Sequence, residues 1–254
     1  MGYCIKGDEE YGSILRNISK IIGNIVSEEE IKAKLFRAIL FSKREFAHEI
    51  TQTQFEKIFK DVRDSLLDSP ISVHSKHYSE KIVIGDDTLY HIHTFKPEKE
   101  DIVHALELKH ESKVFLDSLE SMMDVVDTFF SGYDSEGFVL KKYRRKGLTN
   151  YVFFSTIDDV FVDFEFHKDF SEGRNYSVVV KTERTPEKFI RFFKKFSEQA
   201  KKSGLRIWVV NTGEKTIDPF IGYPKDLNLI KNFKNPRVAG LISALWREKV
   251  EDID

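Results

Sequence analysis

Four runs between residues 158 and 213 decide the fold: DDVFVDFEF (158–166), YSVVVKTE (176–183), TPEKFIRFFKKFSEQAKKSG (185–204) and LRIWVVNTG (205–213). The third is the plainest. Phe189, Phe192, Phe193, Phe196 and Ala200 recur at i, i+3, i+4, i+7 and i+11, one face of a helix. Lys188, Arg191, Lys195 and Lys202 fill much of the rest. Thr185 suits a cap, Pro186 the first helical position and Gly204 a left-handed stop. The spacing predicts a helix over 187–203.

The neighbouring runs read as strands. Ile207, Trp208, Val209 and Val210 are continuously apolar, as in a strand covered on both faces by a strand–helix–strand crossover. In 158–166, Asp163 and Glu165 alternate with Val162, Phe164 and Phe166. In 176–183, Val179, Lys181 and Glu183 alternate with Val178 and Val180. Read as two strands of a hairpin, these runs gather Asp163, Glu165, Lys181 and Glu183 on one wet face.

Bulk properties narrow the function classes. With 254 residues, 41% of them apolar, the chain can build one large domain or two smaller ones. A formal net charge of -2 gives no global pull toward nucleic acid or a membrane, so polyanion binding requires a local patch. One cysteine, Cys4, rules out an intrachain disulfide and favours a cytoplasmic setting. No apolar run is long enough to span a bilayer, so no membrane partner is expected. Abundant Lys and Glu beside a single Cys suggest a thermophile.

In chain order, Ile14, Leu15, Ile18, Ile21 and Ile22 mark a short helix. Ser27 and Glu30 form a capping box before Ile31, Leu35, Ala38 and Ile39. SKREFAHEI (42–50) and QFEKIFKDVRDSLL (54–67) resemble a helix-turn-helix, with Thr51 where that family usually has Gly and with Lys57 and Lys60 at shifted positions. With a β-wing drawn from 72–94, residues 28–95 resemble a winged helix. The alternative is a small helical bundle.

Residues 71–110 read as an antiparallel meander of SVHSKHY, KIVIG, TLYHIHTF and IVHALELKH, holding six of the eight histidines. His91, His93 and His104 are the nearest approach to a transition-metal set, but their spacing matches no zinc signature and no tight site is expected. Glu107-Leu108-Lys109 is an ExK tripeptide at the end of the last of these strands. Residues 113–131 predict a helix, and Ser131–Asp134 a boundary that gives domains 1–131 and 132–254.

GFVLKKYRR (137–145) and LTNYVFFS (148–155) predict a hairpin about Lys146-Gly147. Its run of Lys141, Lys142, Tyr143, Arg144, Arg145 and Lys146 is the densest basic patch. Cations around an aromatic ring suit phosphate contact and base stacking, and equally a solvated strand face. Beyond Gly213, Asp218-Pro219 and Tyr223-Pro224 read as loop, Ile221-Gly222 as the end of a short edge strand, and 236–250 as a final helix.

Assembled, the helix at 113–131, the strands near 150, 160 and 178, the helix at 187–203 and the strand at 205–210 read αβββαβ. The fold class is α+β: N-terminal helices and a meander, then a mixed sheet with flanking helices. The second half resembles the restriction-endonuclease-like PD-(D/E)xK superfamily. There an Asp on the second core strand and an E-x-K on the third bind a divalent cation and activate water. The resemblance places Asp163 and Lys181 in those roles, implies Mg²⁺, and puts Val179 where the motif has Glu. A hard cation needs oxygen ligands, so Glu165 or Glu183 would have to join Asp163. Two functions follow: a metal-dependent nuclease acting on nucleic acid, or a non-catalytic DNA-binding or protein-interaction scaffold. A third reading of the four charged residues needs no site at all, only cross-strand ion pairs.

Overall fold

The computed structural model describes residues 22–41, 50–67, 80–92 and 97–235, with 12, 14, 17 and 18. They fall into two compact units, residues 1–117 with 137–139, and residues 118–136 with 140–254. The architecture is α+β, with a small antiparallel sheet in unit 1 and a six-stranded mixed sheet in unit 2.

Unit 1 begins with β1 (Ile25–Val26) and α1 (Glu28–Phe41). Ser27 caps α1 as its sequence requires, its Oγ accepting the Glu30 N–H at 3.0 Å. Helix α2 (Gln52–Leu67) opens on a second capping box. The Thr51 N–H donates to Gln54 Oε1 at 2.8 Å, and the Gln54 N–H donates to Thr51 Oγ1 at 3.3 Å. That cap accounts for Thr where a helix-turn-helix usually has Gly. The hairpin β2 (Glu80–Ile84) and β3 (Asp87–His91) follows, and the sheet order is β1-β3-β2.

The next element corrects the meander. IVHALELKH is not a strand; it lies within one helix, α3 (Lys99–Phe129). No Gly or Pro interrupts 99–131, and Ile102, Ala105 and Leu106 sit at helical spacing. They pack on Ile25, Ile82 and Leu89 of the sheet. Phe36 centres the rest of the core, with ring centroids 5.8 Å from Phe55, 6.0 Å from Phe115 and 5.8 Å from Phe138. The helix expected at 42–50, the strand at 72–78, and His74, His77 and His93 lie outside the described residues.

Unit 2 takes the last turns of α3 and the strands β4 (Asp134–Glu136), β5 (Leu140–Arg145), β6 (Leu148–Ser155), β7 (Tyr176–Lys181), β8 (Arg206–Asn211) and β9 (Thr216–Ile221), hydrogen-bonded in that order. The β5–β6 hairpin turns about Lys146-Gly147, as its sequence predicts. Strands β6, β7 and β8 run parallel, and β9 returns antiparallel. Pro219, expected in a loop, lies within β9, an edge strand, where a residue without an N–H is tolerated.

The run DDVFVDFEF is the second correction. It forms no strand but two short helices, α4 (Ile157–Val162) and α5 (Phe164–Ser171), with Asp163 between them. The Thr156 hydroxyl starts α4 by accepting the Asp159 N–H at 3.1 Å. Ile157, Val160, Phe164, His167 and Ser171 are buried, a 3.6-residue pattern that the shorter alternation of 158–166 conceals.

Helix α6 (Glu187–Ser203) spans the residues predicted. Phe189, Phe192, Phe193 and Ala200 are buried, Phe196 is half-buried, and Gly204 closes the helix at φ 74°. Its aromatic face meets α4 and α5: Phe164 stacks on Phe196 with centroids 4.3 Å apart. The final helix expected after 236 lies outside the described residues.

Candidate functional site

The strand register of unit 2 fixes where the four charged residues fall. Tyr176, Val178 and Val180 share one face of β7; Ser177, Val179 and Lys181 share the other. The first face carries α5, since the Tyr176 and Phe170 rings lie 4.7 Å apart and the Tyr176 hydroxyl is 2.9 Å from His167 Nδ1. The second carries the end of α3. Val179 pairs in register with Trp208, whose ring is 5.4 Å from that of Phe129. Asp163, at the α4–α5 junction, is therefore on one face of the sheet, and Lys181 is on the other.

The remaining two acids do not restore the site. Glu165 is exposed on α5, ion-paired with Lys168 at 2.5 Å. Glu183 is exposed in the loop after β7. The four residues do not converge, and the hairpin face that would have gathered them does not form. Among the described residues, no group of three or more His, Cys, Asp or Glu side chains is arranged to hold a metal ion. Asp163, Glu165 and Glu183 do not fit the Mg²⁺ that the resemblance implies.

Asp163 has a different electrostatic role. Burial, and then the Asp163 charge, push the Tyr176 phenol well above its ordinary value. The Asp163 backbone N–H donates to Asp159 O at 2.8 Å and its carbonyl accepts the His167 N–H at 3.0 Å, tying α4 to α5.

The basic run on β5 is largely engaged within unit 2. Lys141 Nζ donates to Asp127 Oδ2 at 2.6 Å, Arg144 pairs with Glu136 at 3.1 Å, and the Arg145 guanidinium lies 5.2 Å from the Tyr133 ring. Tyr143 is 1% exposed and stacked on Phe130, so it offers no free ring face to a base. Its hydroxyl donates to Asp127. Tyr133 donates in turn to Asp226, which that bond holds below the usual carboxylate range. Lys142 is half-buried and Lys146 is exposed at the hairpin tip. The run belongs to a strand paired on both sides, its cations built into ion pairs and ring contacts of unit 2, with no stacking platform.

In unit 1, the premises for the histidine set and for the ExK tripeptide both change. His104 stands exposed on helix α3 and His91 is buried on β3, so no hairpin opposes them. Lys109, on the same helix, donates to Asp87 and Glu29 at 3.0 and 3.5 Å. Burial opposes its charge, but the Asp87 bond and the two carboxylates outweigh burial and raise its pKa. It is a structural tie.

Two outward helix faces remain. On α2, Phe55 and Val62 are buried and Ile58 and Phe59 half-buried, which turns Thr53, Lys57 and Lys60 outward. The two lysines that look misplaced in a helix-turn-helix pattern are thus its solvent face. Gln52 and Gln54 are exposed in the first turn. On α6 the outward face is strongly basic, and the run of Lys and Arg between its phenylalanines was the readable signal of it.

Residues 107–235 match the family model described as Domain of unknown function (DUF6834), C-terminal domain, and residues 13–106 match Domain of unknown function (DUF6846). No curated protein matches the chain.

Proposed function

The chain belongs to the family of the domain of unknown function DUF6834, C-terminal domain, and we propose that it is a non-catalytic DNA-binding protein that contacts the duplex through α2 of unit 1. The observation that carries this reading is the order of unit 1. A short strand precedes the helices, a hairpin follows them, and the sheet order is β1-β3-β2. A winged helix has this order, and the helix before its wing enters the major groove. Helix α2 holds that position. Lys57 and Lys60 suit phosphate, and the exposed Gln52 amide suits a base edge, where Gln pairs with adenine N6 and N7. The hairpin tip carries Asp86, and Asp87 tied to Lys109, with no Lys or Arg between Ile82 and Tyr90 to meet phosphate, so α2 and not the tip makes the contact.

The non-catalytic part of the reading rests on unit 2. From Ser118 the order is helix, three strands, helices, strand, which supports the resemblance to a PD-(D/E)xK core. The second and third strands of that order are β5 and β6. Neither contains Asp or Glu, so the resemblance extends to the order of elements and not to its cation ligands.

The test measures binding of a labelled random-sequence duplex by fluorescence anisotropy, with cleavage followed on gels with and without Mg²⁺ or Mn²⁺. Binding that weakens as salt rises, lost in Lys57→Glu/Lys60→Glu and without cleavage, is expected. Metal-dependent cleavage would return the nuclease reading, and binding indifferent to the α2 changes would refute the contact proposed.

A further inference from the structure

We infer that the outward face of α6 is a second nucleic-acid contact, a track for the phosphate backbone of a duplex; this rests on the DNA-binding reading but on a different unit. The helix carries six basic side chains, Lys188, Arg191, Lys194, Lys195, Lys201 and Lys202, against two acidic ones, Glu187 and Glu198, a net charge of +4. The whole chain has a formal charge of -2, so this is a local concentration of positive charge. All six basic residues are exposed. From Lys188 to Lys202 the helix rises about 21 Å, the axial length of about six phosphates on one strand.

Packing directs the charge outward and favours a polyanion over a membrane. Phe189, Phe192, Phe193 and Ala200 are buried on the inner side of α6. Lys195 lies over the Phe161 and Phe196 rings at 4.8 and 5.0 Å, and Lys201 over Phe193 at 5.5 Å. Their ammonium groups rest against ring faces of the core, cation–π contacts made by side chains that stay exposed to water. An interfacial membrane helix needs a free apolar face to insert, and that of α6 is spent on the sheet and on α4 and α5. Ion pairs on this face, Lys188–Asp158 and Lys201–Glu198 among them, are exposed and exchange readily for phosphate.

The test uses the full chain and the same duplex at about 0.05 to 0.2 M salt. Arg191→Glu/Lys202→Glu changes two exposed residues and no core contact, and its circular dichroism melt verifies the fold. It should bind about tenfold or more weakly at 0.1 M salt. It should also flatten the slope of log K against log salt by about 2, since each lost phosphate contact removes about 0.9. Lys215→Glu/Lys231→Glu, an equal charge change elsewhere in unit 2, should alter affinity less than about twofold and leave the slope unchanged. If the α6 and control pairs behave alike, or if the α6 pair lowers binding only to phosphatidylserine vesicles, the inference is wrong. Loss of binding in Lys57→Glu/Lys60→Glu with none in the α6 pair overturns this inference and leaves the α2 contact standing. The reverse pattern supports α6 and removes α2.

Discussion

The ring of Tyr143 lies flat on that of Phe130, centroids 4.1 Å apart and 6° between planes, while its hydroxyl donates to Asp127 Oδ1 at 2.6 Å. One side chain thus joins β5 to the end of α3 through both an aromatic stack and a charge-assisted hydrogen bond. Tyr143→Phe keeps the stack and removes the bond, and should cost about 1.5–3 kcal/mol in urea unfolding. Duplex affinity at fixed salt should not change. Weaker DNA binding by a fully folded Tyr143→Phe would restore this residue to an interface.

Alkaline pH should destabilise unit 2. Burial, with the Asp127 and Asp163 charges, raises the Tyr143 and Tyr176 phenols above their unfolded value of about 10. Below that value both states hold these protons and the slope is zero. Above it the unfolded chain releases them and the folded chain does not, so stability falls with pH by about 1.4 kcal/mol per unit for each phenol. Urea unfolding at pH 9, 10 and 11 should reveal the decline, and Tyr143→Phe should lose one phenol's share of it. An unchanged slope in that variant would refute the assignment.

Phe192 is fully buried between α4, α5 and β9, its ring centroid 6.4 Å from Phe161, 6.0 Å from Phe164 and 6.5 Å from Phe220. Phe192→Ala should cost about 3–5 kcal/mol. Phe196, on the half-buried rim, should cost less when truncated the same way. Equal losses at the two positions would mean that the packing of α6 is misassigned.

Gly222 and Gly204 separate two reasons for glycine. Both have positive φ, 71° and 74°, but a Cβ on Gly204 meets open space, whereas one on Gly222 falls 2.8 Å from Arg206 Cγ. Arg206 is buried, its guanidinium donating to Ser177 Oγ at 3.4 Å and Arg174 O at 3.3 Å, so it cannot swing aside freely. Gly204→Ala should cost about 1 kcal/mol from backbone strain. Gly222→Ala should cost about 1–3 kcal/mol more from overpacking. Thermal melts of the two variants, measured side by side, decide it.

The sequence carries α6, β8 and the β5–β6 hairpin plainly, because each has a long period or a turn with its own chemistry. It misleads where two periods fit one window. Val162, Phe164 and Phe166 alternate over five residues, whereas Ile157, Val160, Phe164, His167 and Ser171 hold a helical period over fifteen, and the Thr156–Asp159 cap was there to arbitrate. The same competition hides α3, whose Ile102, Ala105 and Leu106 look strand-like only in a short excerpt.

The candidate site was less legible for a topological reason. Asp163 and Lys181 are eighteen positions apart, and their faces are fixed by the crossover between them, which no local pattern records. The partners that engage the basic run are equally remote: Asp127 lies fourteen residues before Lys141, and Tyr133 is tied to Asp226 ninety-three residues on. Charge density could be read; what neutralises it could not.

The borders of the six-stranded sheet bear on how the protein survives at high concentration. One border, β4, is three exposed residues, two of them acidic. The other, β9, holds Pro219, pairs with β8 across a bulge, and has its Ile217 carbonyl already taken by the Lys234 N–H at 3.1 Å. Neither offers a long, flat row of open backbone groups to a stray chain. Crowded or heat-stressed molecules therefore find little purchase on this sheet, and association through its borders should follow unfolding rather than precede it.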